Sequence, residues 1–297
     1  MLEIKPIRLE DAEWMRPLLE KAGAKSCEAS FGNMFAWAPT YSSEIARVGD
    51  RIIMKISSHI GECPASFLYP VGTGDAKPAV EAILEYFNDC RCCFRMYGLE
   101  EQEKEALEAA FPGKFHLDAH REHSDYVYLV SDLIELAGKK YHQKRNHLKK
   151  FYELNWSFEP ITEATVEECL AFNEKWCEEK RALGMDGVDE EQIAVERCLR
   201  NMEKIGCFGG ILRVDGNLAA FTVAERLNDD TVVIHFEKAD ASVPGAYPAI
   251  NREFLANMCR EYTYVNREDD LGIEGLRKAK LSYHPVELVV KYGVTLA

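Results

Sequence analysis

The chain has 297 residues, is 47% hydrophobic and 10% aromatic, and carries a formal net charge of −14. That length and apolar content suit one large domain or two ordinary ones with a proper core, and the acidity excludes general affinity for nucleic acid or anionic membrane. No apolar run approaches the roughly 18 residues that span a bilayer. The N-terminus MLEIKPIRLEDAEW lacks the basic-then-apolar pattern of a signal peptide, and the ten cysteines show no convincing zinc spacing. The expectation is a cytoplasmic protein with reduced thiols, no integral membrane association and no metal site.

In chain order, EIKPIRL reads as a strand and DAEWMRPLLEKA as an amphipathic helix opened near Asp11. A second helical stretch covers Cys27 to Trp37, and EIARV and RIIMKI form a hairpin across Gly49-Asp50. ASFLYP is a strand, KPAVEAILEYF a helix, and DCRCCFRMY a buried strand with Cys90, Cys92 and Cys93 as small apolar residues. QEKEALEAAF is a helix, and KFHLD and DYVYLV are two strands.

The second part repeats that order. SFEPI is a strand, TVEECLAFNEKWCEEKR a helix opened by Thr165 with Glu168 closing a capping box, and EEQIAVERCLRNMEKI another helix. FGGILRV and NLAAFTVAERL form a hairpin across Asp215-Gly216, and TVVIHFE is a third strand. PAINREFLANMCREY is a helix, YTYV a strand, IEGLRKAKLSY a helix and VELVVKY a closing strand. The second half therefore reads β-α-α-β-β-β-α-β-α-β and the first the same with one further strand at its end, which predicts domains over 1–130 and 153–297 joined by a helical linker over 131–152.

The linker departs from the acidic average: Lys139 to Lys150 contains six Lys/Arg and no acid. Tyr141, Arg145, Leu148 and Tyr152 fall on one helical stripe, leaving Lys139, Lys140, Lys144, Lys149 and Lys150 for other faces. Lys140, Lys144 and Arg145 are the candidate phosphate contacts here, whether tRNA, a nucleotide or a lipid headgroup supplies the phosphate. The alternative is a solvated face that pairs with the acidic remainder.

The order of elements resembles that of the GCN5-related N-acetyltransferases, taken twice. GKKYHQKRNHLKKF (138–151), HFEKADASVPGAYPAINREF (235–254) and YVNREDDLGIEGLRKAKLSYHP (264–285) resemble the phosphatidylglycerol lysyltransferase C-terminal-domain family. Its relatives include the peptidoglycan-bridge aminoacyl ligases. The resemblance implies an α/β (α+β) fold of two tandem acetyltransferase-like domains, each a mixed, mostly antiparallel sheet with flanking helices, splayed between strands 4 and 5. It also implies transfer of an aminoacyl group from charged tRNA to a lipid or amino acceptor.

In that superfamily the pyrophosphate of coenzyme A lies on a glycine-rich turn where the fourth strand enters a helix. The second half offers EKADASVPGAYPAIN there, with Gly245 as its glycine and Pro248 removing a donor; the first offers YPVGTGDAKPA, with Gly72 and Gly74 but Tyr69 in place of Arg or Gln. Both depart from the pattern. The fifth-strand stretch from Val265 to Pro285 holds four acidic and four basic residues. At the ligand-facing end of a parallel pair, Asn266, Arg267, Asp269 and Asp270 would face Glu237 and Lys238, with Arg277 and Lys280 on the next helix. The alternative is an ion-pair network that only braces the strand ends.

Ala279 and Tyr283 match the superfamily spacing of a tyrosine that protonates a leaving group, and Glu237 or Asp270 is the expected general base. His235, two residues before Glu237, is expected on the same strand face as a core residue. The function these residues imply is an acyltransferase. It would move an aminoacyl group from aminoacyl-tRNA, or an acyl group from acyl-CoA, to an amine or hydroxyl on a small-molecule or peptide acceptor, with no tightly bound cofactor. The alternative is a non-catalytic protein whose charged cleft captures a phosphorylated or acidic ligand.

Overall fold

The computed structural model describes residues 2–57 and 65–297. The first half comprises β1 (Lys5–Pro6), α1 (Ala12–Ala22), α2 (Phe31–Ala36), α3 (Ala38–Tyr41), β2 (Glu44–Val48), β3 (Arg51–Ser57), β4 (Ala65–Leu68), β5 (Val71–Gly72), α4 (Lys77–Cys90), β6 (Met96–Glu100), α5 (Glu101–Ala110) and β7 (Phe115–Leu129). α6 (Val130–Glu135) and α7 (His142–Tyr152) connect it to β8 (Trp156–Pro160), α8 (Glu163–Ala182), α9 (Val188–Ile205), β9 (Cys207–Val214), β10 (Asn217–Arg226), β11 (Thr231–Ala239), α10 (Ala246–Met258), β12 (Tyr264–Asn266), α11 (Glu274–Leu281) and β13 (Glu287–Leu296).

Most elements form where periodicity and breakers place them. Asp215 and Gly216 both take positive φ, 51° and 81°, the primed turn that suits a two-residue hairpin. Four local expectations are corrected. The first strand shrinks to Lys5–Pro6, because Leu9–Asp11 turns into a 3-10 helix. Cys90, Cys92 and Cys93 lie at a helix end and in the loop before β6, where Cys90 and Cys93 are exposed. KFHLD and DYVYLV fuse into the single long strand β7. Thr162, not Thr165, caps α8: its N–H donates to Thr165 Oγ1 at 2.9 Å, and Glu168 instead binds Arg213 through both oxygens at 2.6 Å.

One mixed sheet runs β1-β2-β3-β4-β6-β13-β7-β12-β11-β10-β9-β8, with β5 paired to β3. The last strand of the chain thus lies between β6 and β7 of the first half, antiparallel to both. Among the described residues, the parallel pairs are β4 with β6 and β11 with β12. β12 pairs only Thr231 to Val233 of β11, so β11 runs on to Ala239 away from its parallel neighbour and opens a cleft.

α1, α2 and α9 bury one face of the sheet around Phe31, Met34, Leu199 and Phe221. α7 and α10 bury part of the opposite face around Leu148, Phe151, Ala246 and Ile250. A fully buried side chain of this size contributes about 1.5–3 kcal/mol, so α7 is held by packing, with Lys149 and Lys150 outward and Lys144 half-buried.

Candidate active site

β11 carries a β-bulge opposite β10: Val223 pairs with Phe236 and Ala224 with Ile234, so His235 is the extra residue. A bulge breaks the alternation of side chains and re-aims those beyond it. His235 therefore does not share a face with Glu237. It turns to Glu225 and Glu268, 3.2 and 3.0 Å away, while Glu237 turns to the face of α10 and accepts from Asn251 at 3.3 Å.

Arg267, the first residue after β12, donates to the other oxygen of Glu237 at 2.9 Å. Its guanidinium lies 5.0 Å from the Tyr283 ring centre and 6.0 Å from that of Tyr128. Tyr283 is 7% exposed, and burial pushes its phenol up to about 12 although Arg267 beside it pulls the other way. At neutral pH it is a held proton donor.

From across the cleft, α7 brings Lys144. Its Nζ stands 3.7 Å over the Tyr283 ring, with no carboxylate at ion-pair distance among the described residues. Burial first and the Arg267 charge second lower its ammonium to about 8, with Glu237 opposing. The start of α7 is fixed by Arg145, which donates to the carbonyls of Leu136 and Gly138. Tyr141 donates to the Tyr283 carbonyl at 2.9 Å. One cleft thus joins Lys144, Glu237, Asn251, Arg267 and Tyr283: an ammonium made more acidic than an ordinary lysine, a proton donor and a fixed cation–carboxylate pair.

A family model described as "Phosphatidylglycerol lysyltransferase, C-terminal" matches residues 20–295. The chain belongs to that family. No curated protein matches it. Among solved structures, a conserved protein of unknown function from Bacteroides thetaiotaomicron VPI-5482 is 37% identical over 100% of both chains, with a TM-score of 0.94. L-PGS from Bacillus licheniformis is similar in fold at 14% identity, covering 98% of this chain and 92% of its own, with a TM-score of 0.65. FemX is 8% identical and covers 98% of this chain and 97% of its own, with a TM-score of 0.59. The fold is the mixed α/β one shared with these structures, and the family points to a transferase. Among the described residues no helix is long and apolar enough to cross a membrane.

Within this member of the lysyltransferase C-terminal family, the other residues singled out in the sequence lie elsewhere. Lys238, next to Glu237, points to the opposite face, 2.6 Å from Glu191 of α9 and 3.5 Å from the Trp176 ring centre. Asn266 is buried and donates to the Lys25 carbonyl at 2.8 Å and to Asp125 at 2.9 Å. Asp269 turns its side chain to His123 at 3.4 Å.

Asp270 is enclosed. It accepts from Arg277 at 2.8 and 2.9 Å, Tyr126 at 2.6 Å, Arg121 at 3.3 Å and the Gly272 N–H at 2.9 Å. The Arg277 guanidinium above all holds its carboxyl well below the usual carboxylate range. So committed a carboxylate braces the loop and has no lone pair left for a substrate proton. Lys280 likewise holds the loop, donating to the carbonyl of Arg267 at 2.6 Å and to that of Asp269.

The glycine turns do not present open anion sites. A Cβ at Gly245 would collide with the His147 carbonyl of α7, so that glycine admits a neighbouring backbone to the N-terminus of α10. A Cβ at Gly72 would collide with the Asp50 carbonyl. Arg51 reaches over the first-half turn to the carbonyls of Pro70 and Gly74, both at 2.6 Å, and Asp75 caps α4 through the Lys77 N–H at 2.9 Å. Lys140 is exposed and pairs with Asp132 at 3.1 Å.

Sequence reasoning missed Asn251 and Tyr128 as walls of the cleft. Asn251 was legible only as a polar residue on the apolar face of α10. The sequence likewise carried no sign of the bulge that separates His235 from Glu237.

Proposed function

We propose that the chain is an aminoacyltransferase that works in the cleft between β11 and β12, with aminoacyl-tRNA as donor and an amine or hydroxyl as acceptor. The observation that carries this reading is Lys144, poised near neutrality against Tyr283 and the Glu237–Arg267 pair. In the reaction the acceptor nitrogen or oxygen attacks the ester carbonyl of the donor. The bond to the ribose oxygen breaks as the new acyl bond forms. Lys144 takes the proton that the acceptor loses, and Tyr283 returns one to the departing ribose oxygen. Both oxygens of Glu237 are engaged, so it orients Arg267, whose charge faces the oxyanion that develops on the carbonyl.

Two observations favour charged tRNA over acyl-CoA. α7 covers the N-terminus of α10, where a pyrophosphate would need open backbone donors. α7 and the turn before it leave Lys139, Lys140, Lys149 and Lys150 exposed, a surface suited to a polyanionic strand. The test is transfer from bulk charged tRNA, and separately from acetyl-CoA, to a panel of amines. Tyr283→Phe should cost on the order of 10²-fold in kcat while donor binding persists. A protein that binds both donors and turns over neither would be a binding module instead.

A further inference from the structure

The sheet face that carries α2, α8 and α9 holds another polar group, separate from the cleft. Cys207 opens β9, Glu225 is its direct cross-strand neighbour on β10, and His235 is the bulged residue of β11. One donor atom from each of the three lies within 4.8 Å of the others. Cys198 of α9 places its Sγ 3.7 Å from that of Cys207, and all four side chains are buried.

The spacing suits a metal ion. Bonds of about 2.0 Å to nitrogen or oxygen and about 2.3 Å to sulfur put the ligand atoms of a tetrahedral zinc roughly 3.2 to 3.8 Å apart. His235 Nε2 lies 3.2 Å from the Glu225 carboxylate, and the two sulfurs 3.7 Å from each other. The other nitrogen of His235 faces Glu268 at 3.0 Å, the carboxylate that commonly orients a ligating imidazole.

Gly32 keeps the space between the ligands open: a Cβ there would stand 2.5 Å from Glu225 Oε2 and 2.8 Å from Cys207 Sγ. Its N–H donates to Glu225 at 2.8 Å. Charge points the same way. Two carboxylates, Glu225 and Glu268, flank the imidazole, and among the described residues no Lys or Arg pairs with Glu225. The comparable grouping of Cys27, Glu28 and Asp125 differs in this respect, because the Lys291 ammonium sits 2.5 Å from Glu28 and 2.7 Å from Asp125.

We propose that Cys207, Glu225 and His235 bind one divalent ion of the zinc class, with Cys198, whose Sγ adjoins Cys207 but lies outside that mutual spacing, drawn in at the fourth position. The ion would tie β9, β10 and β11 to α9 and, through Glu225, to α2. The experiment uses the full chain with Cys63, Cys90, Cys92 and Cys93 replaced by serine, stripped with a chelator, unfolded and refolded in the presence of Co²⁺. The expected result is one cobalt per chain with tetrahedral visible absorption and a thiolate-to-cobalt charge-transfer band, both displaced by Zn²⁺.

Cys207→Ser should weaken that band, and the pair Cys198→Ser and Cys207→Ser should abolish it. His235→Gln should bind cobalt at least about tenfold more weakly. Gly32→Ala should block uptake, with circular dichroism reporting whether each variant folds. Where a variant does not fold, the parent chain decides alone. No stoichiometric uptake, uptake without a thiolate band, or a band that survives the double cysteine variant would overturn the proposal.

Discussion

At the scale of single residues, the cleft separates groups that hold position from groups left available. Lys144 is available: its ammonium is lowered to about 8 by burial and the nearby Arg267. If Lys144 accepts a proton, it must be neutral to act, so kcat should rise with pH and level off above about 8. Lys144→Arg, which cannot deprotonate in this range, should remove most of the activity and that limb of the profile together. A pH–rate series on the two proteins checks this.

Asp270 is the opposite case. Its folded acidity is strengthened, so it stabilises the fold above its ordinary value of 3.8, and that contribution fades as pH falls through and below that value. Asp270→Asn should cost roughly 2–3 kcal/mol at neutral pH and flatten the acid limb of stability, read by urea titration at several pH values. The sequence placed both carboxylates, Glu237 and Asp270, in one crevice. Loop geometry parted them: Glu268 and Leu271 take left-handed φ of 56° and 51°, which swings Asp270 back onto Tyr126 and Arg277. Nothing in residue type announces such a turn.

At the scale of elements, α7 decides what the second half can bind. Its basic composition was legible in the sequence; of the expected stripe Tyr141 and Leu148 are buried, Arg145 is exposed and Tyr152 half-buried, and Phe151, outside that stripe, packs inward. Its partner was not legible, because a helical period fixes which face is buried and leaves open what it is buried against. The contact is the close approach at Gly245, where φ is 81°. Gly245→Ala meets both a strained backbone and the His147 carbonyl, so it should lower stability by at least about 1–2 kcal/mol. It should also move Lys144 and weaken turnover. Gly275→Ala, within α11 and with open space around the new carbon, is the control and should leave activity unchanged and the thermal midpoint no lower.

At the scale of the whole molecule, the order of elements was readable twice over because each half alternates helical and strand periods cleanly. The pairing between halves was not, since the interior strands β7 and β13 carry no code for their neighbours. β13 fills the sheet between β6 and β7, and β7 in turn flanks β12. We propose that the two halves are domains by descent that fold only together. Residues 153–297 expressed alone would leave β12 without its antiparallel neighbour, an edge that invites aggregation. That fragment should be unfolded or aggregated by circular dichroism and sedimentation, and co-expression with 1–152 should rescue it.

In the proposed reaction the β11–β12 cleft accepts its acyl group from tRNA. The most direct measurement is single-turnover transfer, with the full chain in excess over radiolabelled aminoacyl-tRNA and a mixed amine pool, run beside labelled acetyl-CoA. The expected result is amine-dependent loss of the label from tRNA, sensitive to salt and lost in Tyr283→Phe, with none from acetyl-CoA. Transfer from acetyl-CoA with charged tRNA left intact would contradict it.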